Sequence, residues 1–244
     1  MSDHGDDRTS AADTGATPDH SLYDLYLQNG RRDLDKWHHY FSVYDRHFPP
    51  FRGRPISLLE IGVLGGGSLR LWRSYFGQDA AITGIDLDPA CARHAGDGVE
   101  VFIGDQSDPA FLESVAAARG PFDIVIDDGG HTSRQQIISL ETLTPHVKDG
   151  GLYVVEDTHT SLWTEYLDHP LGLSFLDVAA RMAERLTWWH ADRRSFDRYG
   201  VPPLRRPGRM NVPAVTRNFF SIAFYDSMVV FEKAVIDEPW REVR

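Results

Sequence analysis

The chain has 244 residues, 41% of them hydrophobic, which is enough for one full α/β domain with decoration. Its 25 basic and 36 acidic residues leave a net charge of -11, which argues against nucleic acid or an anionic membrane as the main partner, since both would repel it. Cys91 is the only cysteine, so an intrachain disulfide and a cysteine-based zinc site are both excluded, and a reducing cytoplasm fits.

Residues 1–20 are mostly Asp, Ser, Thr, Gly and Ala and read as a disordered tail, with no apolar stretch of signal-peptide type. No run anywhere approaches the ~18–20 apolar residues needed to span a bilayer. Over residues 21–53 the pattern turns helical: Leu22, Leu25 and Tyr26, then Trp37, Tyr40, Phe41, Tyr44 and Phe48 recur at three- and four-residue steps. The expectation is an N-terminal helical cap closed by Pro49-Pro50. A main domain follows over residues 54–236.

In that domain strand and helix signals alternate. Strands are expected at Ile56–Val63, Ala80–Leu87, Val99–Ile103, Phe122–Ile126 and Leu152–Val155. Helices are expected from Gly65–Ser68 through Phe76, over Asp108–Arg119, and over Thr132–Val147 with Thr132 or Ser133 as N-cap. Lys148-Asp149-Gly150-Gly151 reads as a turn, Leu176–Trp189 as an amphipathic helix and Tyr199–Arg209 as a loop. Asn218–Tyr225 and Met228–Lys233 flank Asp226-Ser227 as an antiparallel hairpin. The rhythm predicts an α/β fold: a doubly wound, Rossmann-like sheet of seven strands with an N-terminal helical cap and a C-terminal hairpin.

Ligands of such sheets sit beyond the carboxyl ends of the strands. Strand one ends at Glu60-Ile61-Gly62-Val63-Leu64-Gly65, where glycines permit a sharp turn and close approach of backbone to a ligand. Strand two ends at Asp86, placed to accept from ribose hydroxyls. Strand three ends at Asp105-Gln106, placed to meet an adenine edge. A dinucleotide wants Gly-x-Gly-x-x-Gly, and Gly65-Gly66-Gly67-Ser68-Leu69-Arg70 lacks the third glycine. S-adenosylmethionine, with no phosphate, needs close backbone approach, a ribose acid and polar groups for its amino-acid end. Glu60, Asp86 and Asp105 suit it better than a bare strand–helix turn would require.

Strands four and five end in Asp127-Asp128-Gly129-Gly130-His131 and Glu156-Asp157. Either run alone could be a solvated loop with a capping acid. At adjacent strand ends, Asp128, Glu156 and Asp157 offer hard oxygen ligands for Mg²⁺, Mn²⁺ or Ca²⁺. His131 follows Asp128 by three residues and could serve as a general base. The aromatics Trp163, Tyr166, Trp188, Trp189, Phe196 and Tyr199 read more readily as core than as a ligand platform. Their place after strand five also makes residues 160–212 a candidate acceptor lid.

These residues together resemble the class I S-adenosylmethionine-dependent methyltransferases. More narrowly, they are similar to the Mg²⁺-dependent sugar O-methyltransferases of macrolide and other antibiotic pathways, and to the cephalosporin-hydroxylase-like family. Lys36-Trp37-His38-His39-Tyr40 and Tyr44 also look like that family's N-terminal helix signature. The resemblance spans roughly residues 35–233. It implies metal binding by Asp128, Glu156 and Asp157, with His131 as base. It implies Asp86 at the ribose, Asp105 and Gln106 at the adenine, and Glu60, Gly62, Gly65 and Asp127 around the donor loop and its methionine end. It implies methylation of a deoxysugar hydroxyl, rhamnose-like, on a glycoside or a nucleotide sugar, by a homo-oligomer. Other readings are a β-lactam-tailoring protein, a non-catalytic binding protein and an NAD-dependent dehydrogenase, the last disfavoured by the glycine spacing.

Overall fold

The computed structural model describes residues 20–29 and 33–242. All of the expected tail except His20 lies outside the described residues. The helical cap is two short helices rather than one run: α1 (Leu22–Gln28) and α2 (Tyr40–His47). Between them, residues 33–37 have no regular helix. A Ser21–Asp24 capping box starts α1, each side chain bonding the other's backbone N–H.

Strands β1 (Ser57–Ile61), β2 (Ala81–Asp86) and β3 (Val99–Ile103) alternate with α3 (Gly67–Phe76). Then come α4 (Pro109–Arg119), β4 (Phe122–Asp127), α5 (Ser133–Leu143) and β5 (Val147–Val155). The chain closes with α6 (Phe175–Arg185), α7 (Ala214–Asn218), β6 (Phe219–Tyr225) and β7 (Met228–Lys233). The seven strands form one sheet in the order β3-β2-β1-β4-β5-β7-β6. The first five pair in parallel, and β7 runs antiparallel between β5 and β6.

Alternation along the strands builds two cores. Leu58, Ile124, Ile126, Leu152 and Val154 face α1, α2 and α3 through Leu22, Tyr44, Trp72 and Phe76. Leu59, Val125, Tyr153 and Val155 face α4, α5 and α6 through Val115, Leu140 and Phe175. Strands buried on both faces read as continuous apolar runs, which is why Phe122–Ile126 and Leu152–Val155 stood out in the sequence. Burying a side chain such as Leu58 contributes about 1.5–3 kcal/mol.

The boundaries depart from expectation where local chemistry intervenes. The helix expected to reach Val147 stops at Leu143, and Thr144–His146 tightens into a 3₁₀ turn at Pro145. Strand β5 starts at Val147, so the Lys148–Gly151 turn lies inside it, at a register shift against β4. The helix expected to reach Trp189 ends at Arg185, and Trp188–His190 is a separate turn. Strand order reverses between β1 and β4, which opens a crevice at their carboxyl ends.

Candidate active site

The β1 and β4 ends press together so closely that only glycine fits at position 62. Gly62 has φ +95°, and a Cβ there would lie 2.0 Å from the Asp128 carbonyl oxygen. Asp86 at the end of β2 shapes the adjacent loop: its Oδ2 accepts from Val63 N at 2.8 Å and Leu64 N at 3.0 Å. Burial works against its charge, but those bonds and one from Asp88 N hold its carboxyl below the usual range.

A cavity of about 800 Å³ opens over these strand ends. Of the sequence-derived candidates, Gly62, Asp86, Asp105, Gln106, Asp128, His131, Glu156 and Asp157 all line it. Gly65 lies on a smaller adjoining hollow together with Asp86 and Asp88. The cap supplies the facing wall through Lys36, Trp37, His38 and Tyr40.

Two candidates stand elsewhere. Asp127 is fully buried behind the wall. It accepts from Gln106 Nε2 at 3.0 Å and from the Ser139 hydroxyl, and Tyr153 Oη lies 3.4 Å away. It is therefore a hub that ties β4 to α5, not a ligand-facing acid. Glu60 is also fully buried; Ser68 Oγ donates to it at 2.7 Å, and Lys36 Nζ lies 3.8 Å from its other oxygen. Glu60 acts on the cavity only through Ser68 and Lys36, which do line it. Burial pushes its carboxyl up to about 7. Gln106 is on the wall, yet its amide is engaged: Nε2 on Asp127, and Oε1 accepting from Gly130 N at 2.7 Å.

Of the three acids the sequence offers as metal ligands, Asp128 and Asp157 meet beside His131, whereas Glu156 is buried against Lys36 and Tyr44 and lies outside that cluster. Asp128, His131 and Asp157 each offer an atom within 4.8 Å of the others'. His131 Nε2 is 3.4 Å from Asp157 Oδ2 and 3.9 Å from Asp128 Oδ1. Both His131 (φ +58°) and Asp157 (φ +53°) occupy the left-handed region, which costs a non-glycine residue on the order of 1 kcal/mol or more. Thr160 Oγ1 lies 2.9 Å from the carbonyl oxygens of both residues and holds the two turns together.

Helix α2 grips the β5 acids through two tyrosines four residues apart. Tyr40 Oη donates to Asp157 Oδ1 at 2.5 Å, and Tyr44 Oη donates to Glu156. Lys36 Nζ donates to Asp128 Oδ2 at 2.5 Å and to Glu156 Oε2 at 2.8 Å. Glu156 is buried, which raises its carboxyl, and the Asp128 charge raises it further. Burial disfavours the Lys36 ammonium, but Asp128 and Glu156 outweigh this and hold its pKa well above the ordinary value. Lys36 entered the sequence reading only as part of a helix signature. A lone lysine beside Trp37 carries no sequence signal for a buried ion pair.

Residues 59–158 match a family model described as a methyltransferase domain. The matched stretch holds every candidate site residue and the first five strands except the first two residues of β1. The chain is 43% identical over 166 residues to an 8-demethyl-8-alpha-L-rhamnosyl tetracenomycin-C 2'-O-methyltransferase of Streptomyces olivaceus, covering 64% of this chain and 42% of that protein. It is 43% identical over 209 residues to the mycinamicin VI 2''-O-methyltransferase of Micromonospora griseorubida, covering 82% of this chain and 49% of that protein. Among solved structures it resembles the MycE methyltransferase of the mycinamycin pathway, in complex with Mg, SAH and mycinamycin VI. The TM-score is 0.75 at 29% identity, over 91% of this chain and 56% of that one. The chain thus spans about half the length of the curated relatives it matches.

The stretch 160–212 divides in two. Trp163 stands over His159 (ring centroids 5.0 Å apart), which stands over Trp37 (6.1 Å), so an aromatic row leads outward from Asp157. Trp189 and Tyr199 instead turn inward: Tyr199 Oη donates to the Trp189 carbonyl, and Arg206 and Arg217 cover their rings. None of residues 160–212 lines the large cavity. No described helix is long and apolar enough to cross a membrane.

Proposed function

We propose that this protein transfers the methyl group of S-adenosylmethionine to a hydroxyl of a deoxysugar, rhamnose-like, on an antibiotic-type glycoside or a nucleotide sugar, with Mg²⁺ bound. The observation that carries this reading is the convergence of Asp128, His131 and Asp157 within 4.8 Å at the edge of a nucleoside-sized cavity. The relatives named above support the acceptor class.

The donor set fits the metal, being hard carboxylate oxygens, two of them (on Asp128 and Glu156) already paired with a lysine cation. Asp128, Glu156 and Asp157 would hold Mg²⁺. When bound, it supplies a positive field that acidifies a nearby hydroxyl and orients substrate oxygens. Tyr40 and Tyr44 fix the two β5 acids, so that side of the site is set before ligand arrives.

His131 holds the proton that must leave the acceptor. Its Nε2 faces the acids, and its Nδ1 is buried with no hydrogen-bond partner. In the proposed step the acceptor oxygen attacks the methyl carbon in line. A C–O bond forms, the C–S bond breaks, and the proton passes to His131 Nε2. Asp86 and Asp105 line the part of the cavity assigned to the nucleoside. The acceptor would approach across Trp37, His159 and Trp163, whose flat faces suit a sugar ring and an apolar aglycone. This gives the first part of residues 160–212 the role of a lid.

The acidic surface and the single buried Cys91 fit a cytoplasmic enzyme that acts on small molecules and not on nucleic acid. We also propose a homo-oligomer. The deciding experiment incubates the protein with methyl-labelled S-adenosylmethionine, Mg²⁺ and rhamnosylated acceptors. Label in the sugar, lost with EDTA, supports the reading. No transfer to any glycoside, together with binding of NAD, would overturn it.

A further inference from the structure

A cation of the chain's own sits in the acidic floor of the cavity. Lys36 Nζ lies 2.5 Å from Asp128, 2.8 Å from Glu156 and 3.8 Å from Glu60, and its side chain is 2% exposed. Two of those carboxylates are proposed metal ligands. For the two oxygens that Lys36 holds, Asp128 Oδ2 and Glu156 Oε2, the ammonium and a divalent ion compete, because in a low-dielectric interior they repel strongly. Nor can the ammonium stay buried without a partner, since an unpaired interior charge is costly.

Lys36 also lines the cavity, as do Gly62 and Ser68 of the β1 turn. It comes from residues 33–37, which no helix restrains. Behind it, Glu60 Oε1 is buried and accepts no hydrogen bond. Released from Asp128 and Glu156, the ammonium keeps Glu60 behind it and presents its remaining N–H groups to the cavity. A ligand carboxylate at that point would complete its shell through a charge-assisted bond.

We infer that Lys36 binds the carboxylate at the amino-acid end of the methyl donor, and that this handover frees Asp128 and Glu156 for the divalent ion. The inference rests on the methyl-transfer reading. Its consequence is that donor and metal each tighten the binding of the other by the same factor. Before the donor arrives, Lys36 acts as a resident counter-ion that keeps the acids paired and competes with metal.

The test is calorimetric titration of the full chain with Mg²⁺ in three conditions. These are no nucleoside, saturating S-adenosylhomocysteine, and saturating 5′-methylthioadenosine, which keeps the nucleoside and sulfur but lacks the amino-acid end. Mg²⁺ affinity should rise about tenfold or more with S-adenosylhomocysteine, and not with 5′-methylthioadenosine. In Lys36→Met, Mg²⁺ should bind equally in all three conditions. Equal Mg²⁺ affinity across the conditions in the unmodified protein, or coupling that survives in Lys36→Met, overturns the inference. The nucleoside comparison in the unmodified protein decides the matter even where the variant does not fold. If neither nucleoside binds, the methyl-transfer reading itself falls. Binding without coupling removes only the role of Lys36.

Discussion

One wall of the cavity is made by the carboxyl ends of β1 to β5, and the opposite wall by Lys36, Trp37, His38 and Tyr40 of the cap. The first wall is positioned by backbone. Asp128 N donates to the Ile61 carbonyl at 3.0 Å and Glu156 N to the Asp127 carbonyl at 2.9 Å, so the sheet ladder itself carries the acids to the edge. The second wall is positioned by side chains. Lys36, Tyr40 and Tyr44 reach across more than 90 residues of sequence to those same acids. A backbone-held acid should tolerate loss of its neighbours, whereas the cap depends on three polar contacts and should respond to whatever occupies the site.

The largest expected effect belongs to the strand-end wall. His131→Ala should lower turnover by about 10²–10⁴-fold while leaving S-adenosylhomocysteine affinity near that of the parent. Single-turnover rates and calorimetry on the same preparation check this, and loss of nucleoside binding would count against the base assignment. Next comes Asp127, the neighbour of Asp128 that faces away from the cavity. Asp127→Ala should leave Gln106 Nε2 without its acceptor and Ser139 with only the helix carbonyls of Gln135 and Gln136, and cost about 1–3 kcal/mol of stability, read by denaturant unfolding. A parent-like stability with lost nucleoside binding would restore Asp127 to the ligand side.

The cap wall should respond more mildly. Tyr44→Phe removes a hydrogen bond to the buried Glu156 and should cost about 1.5 kcal/mol, with Mg²⁺ binding weakened in parallel. A change in stability alone would make Tyr44 a purely structural contact.

A pH dependence follows from Glu60. Its carboxyl is raised from 4.5 to about 7 by burial, so in that window the folded state holds a proton that the unfolded state releases. Stability of the metal-free protein from this group is therefore fully present below about pH 4.5 and declines as pH rises toward 7. Glu60→Gln should remove that slope from a pH series of melting curves, and an unchanged slope would place its origin elsewhere. The smallest effect is expected at Trp163. Trp163→Ala should raise KM for a glycoside acceptor by a few-fold, about 0.5–1.5 kcal/mol, without altering nucleoside affinity. An unchanged KM would remove the aromatic row from the acceptor path.

Much of the strand-end wall was legible in the sequence. Apolar runs that end in Asp86, Asp105, Asp128 and Glu156-Asp157 announce doubly buried strands that deliver acids to one edge, and the structure places all of these on the cavity. The division between Asp127 and Asp128 was not legible. Adjacent residues at a strand end point to opposite faces, and which face is the cavity depends on where α5 brings Ser139. The break between α1 and α2 was equally hidden, because aromatic spacing in Trp37–Tyr44 continues the helical period while residues 33–37 leave it.

The sequence by itself determined the order of strands and helices, the sheet edge that carries the chemistry, and the candidate acids and imidazole. Periodicity and strand-end position are local properties that the chain states directly. Only the tertiary structure decided that Asp127 and Glu60 lie behind the wall, that Gln106 holds a loop, and that Lys36 sits among the carboxylates. Those outcomes depend on contacts between residues distant in sequence, where burial and charge pairing are set by the packed neighbours rather than by the residue itself.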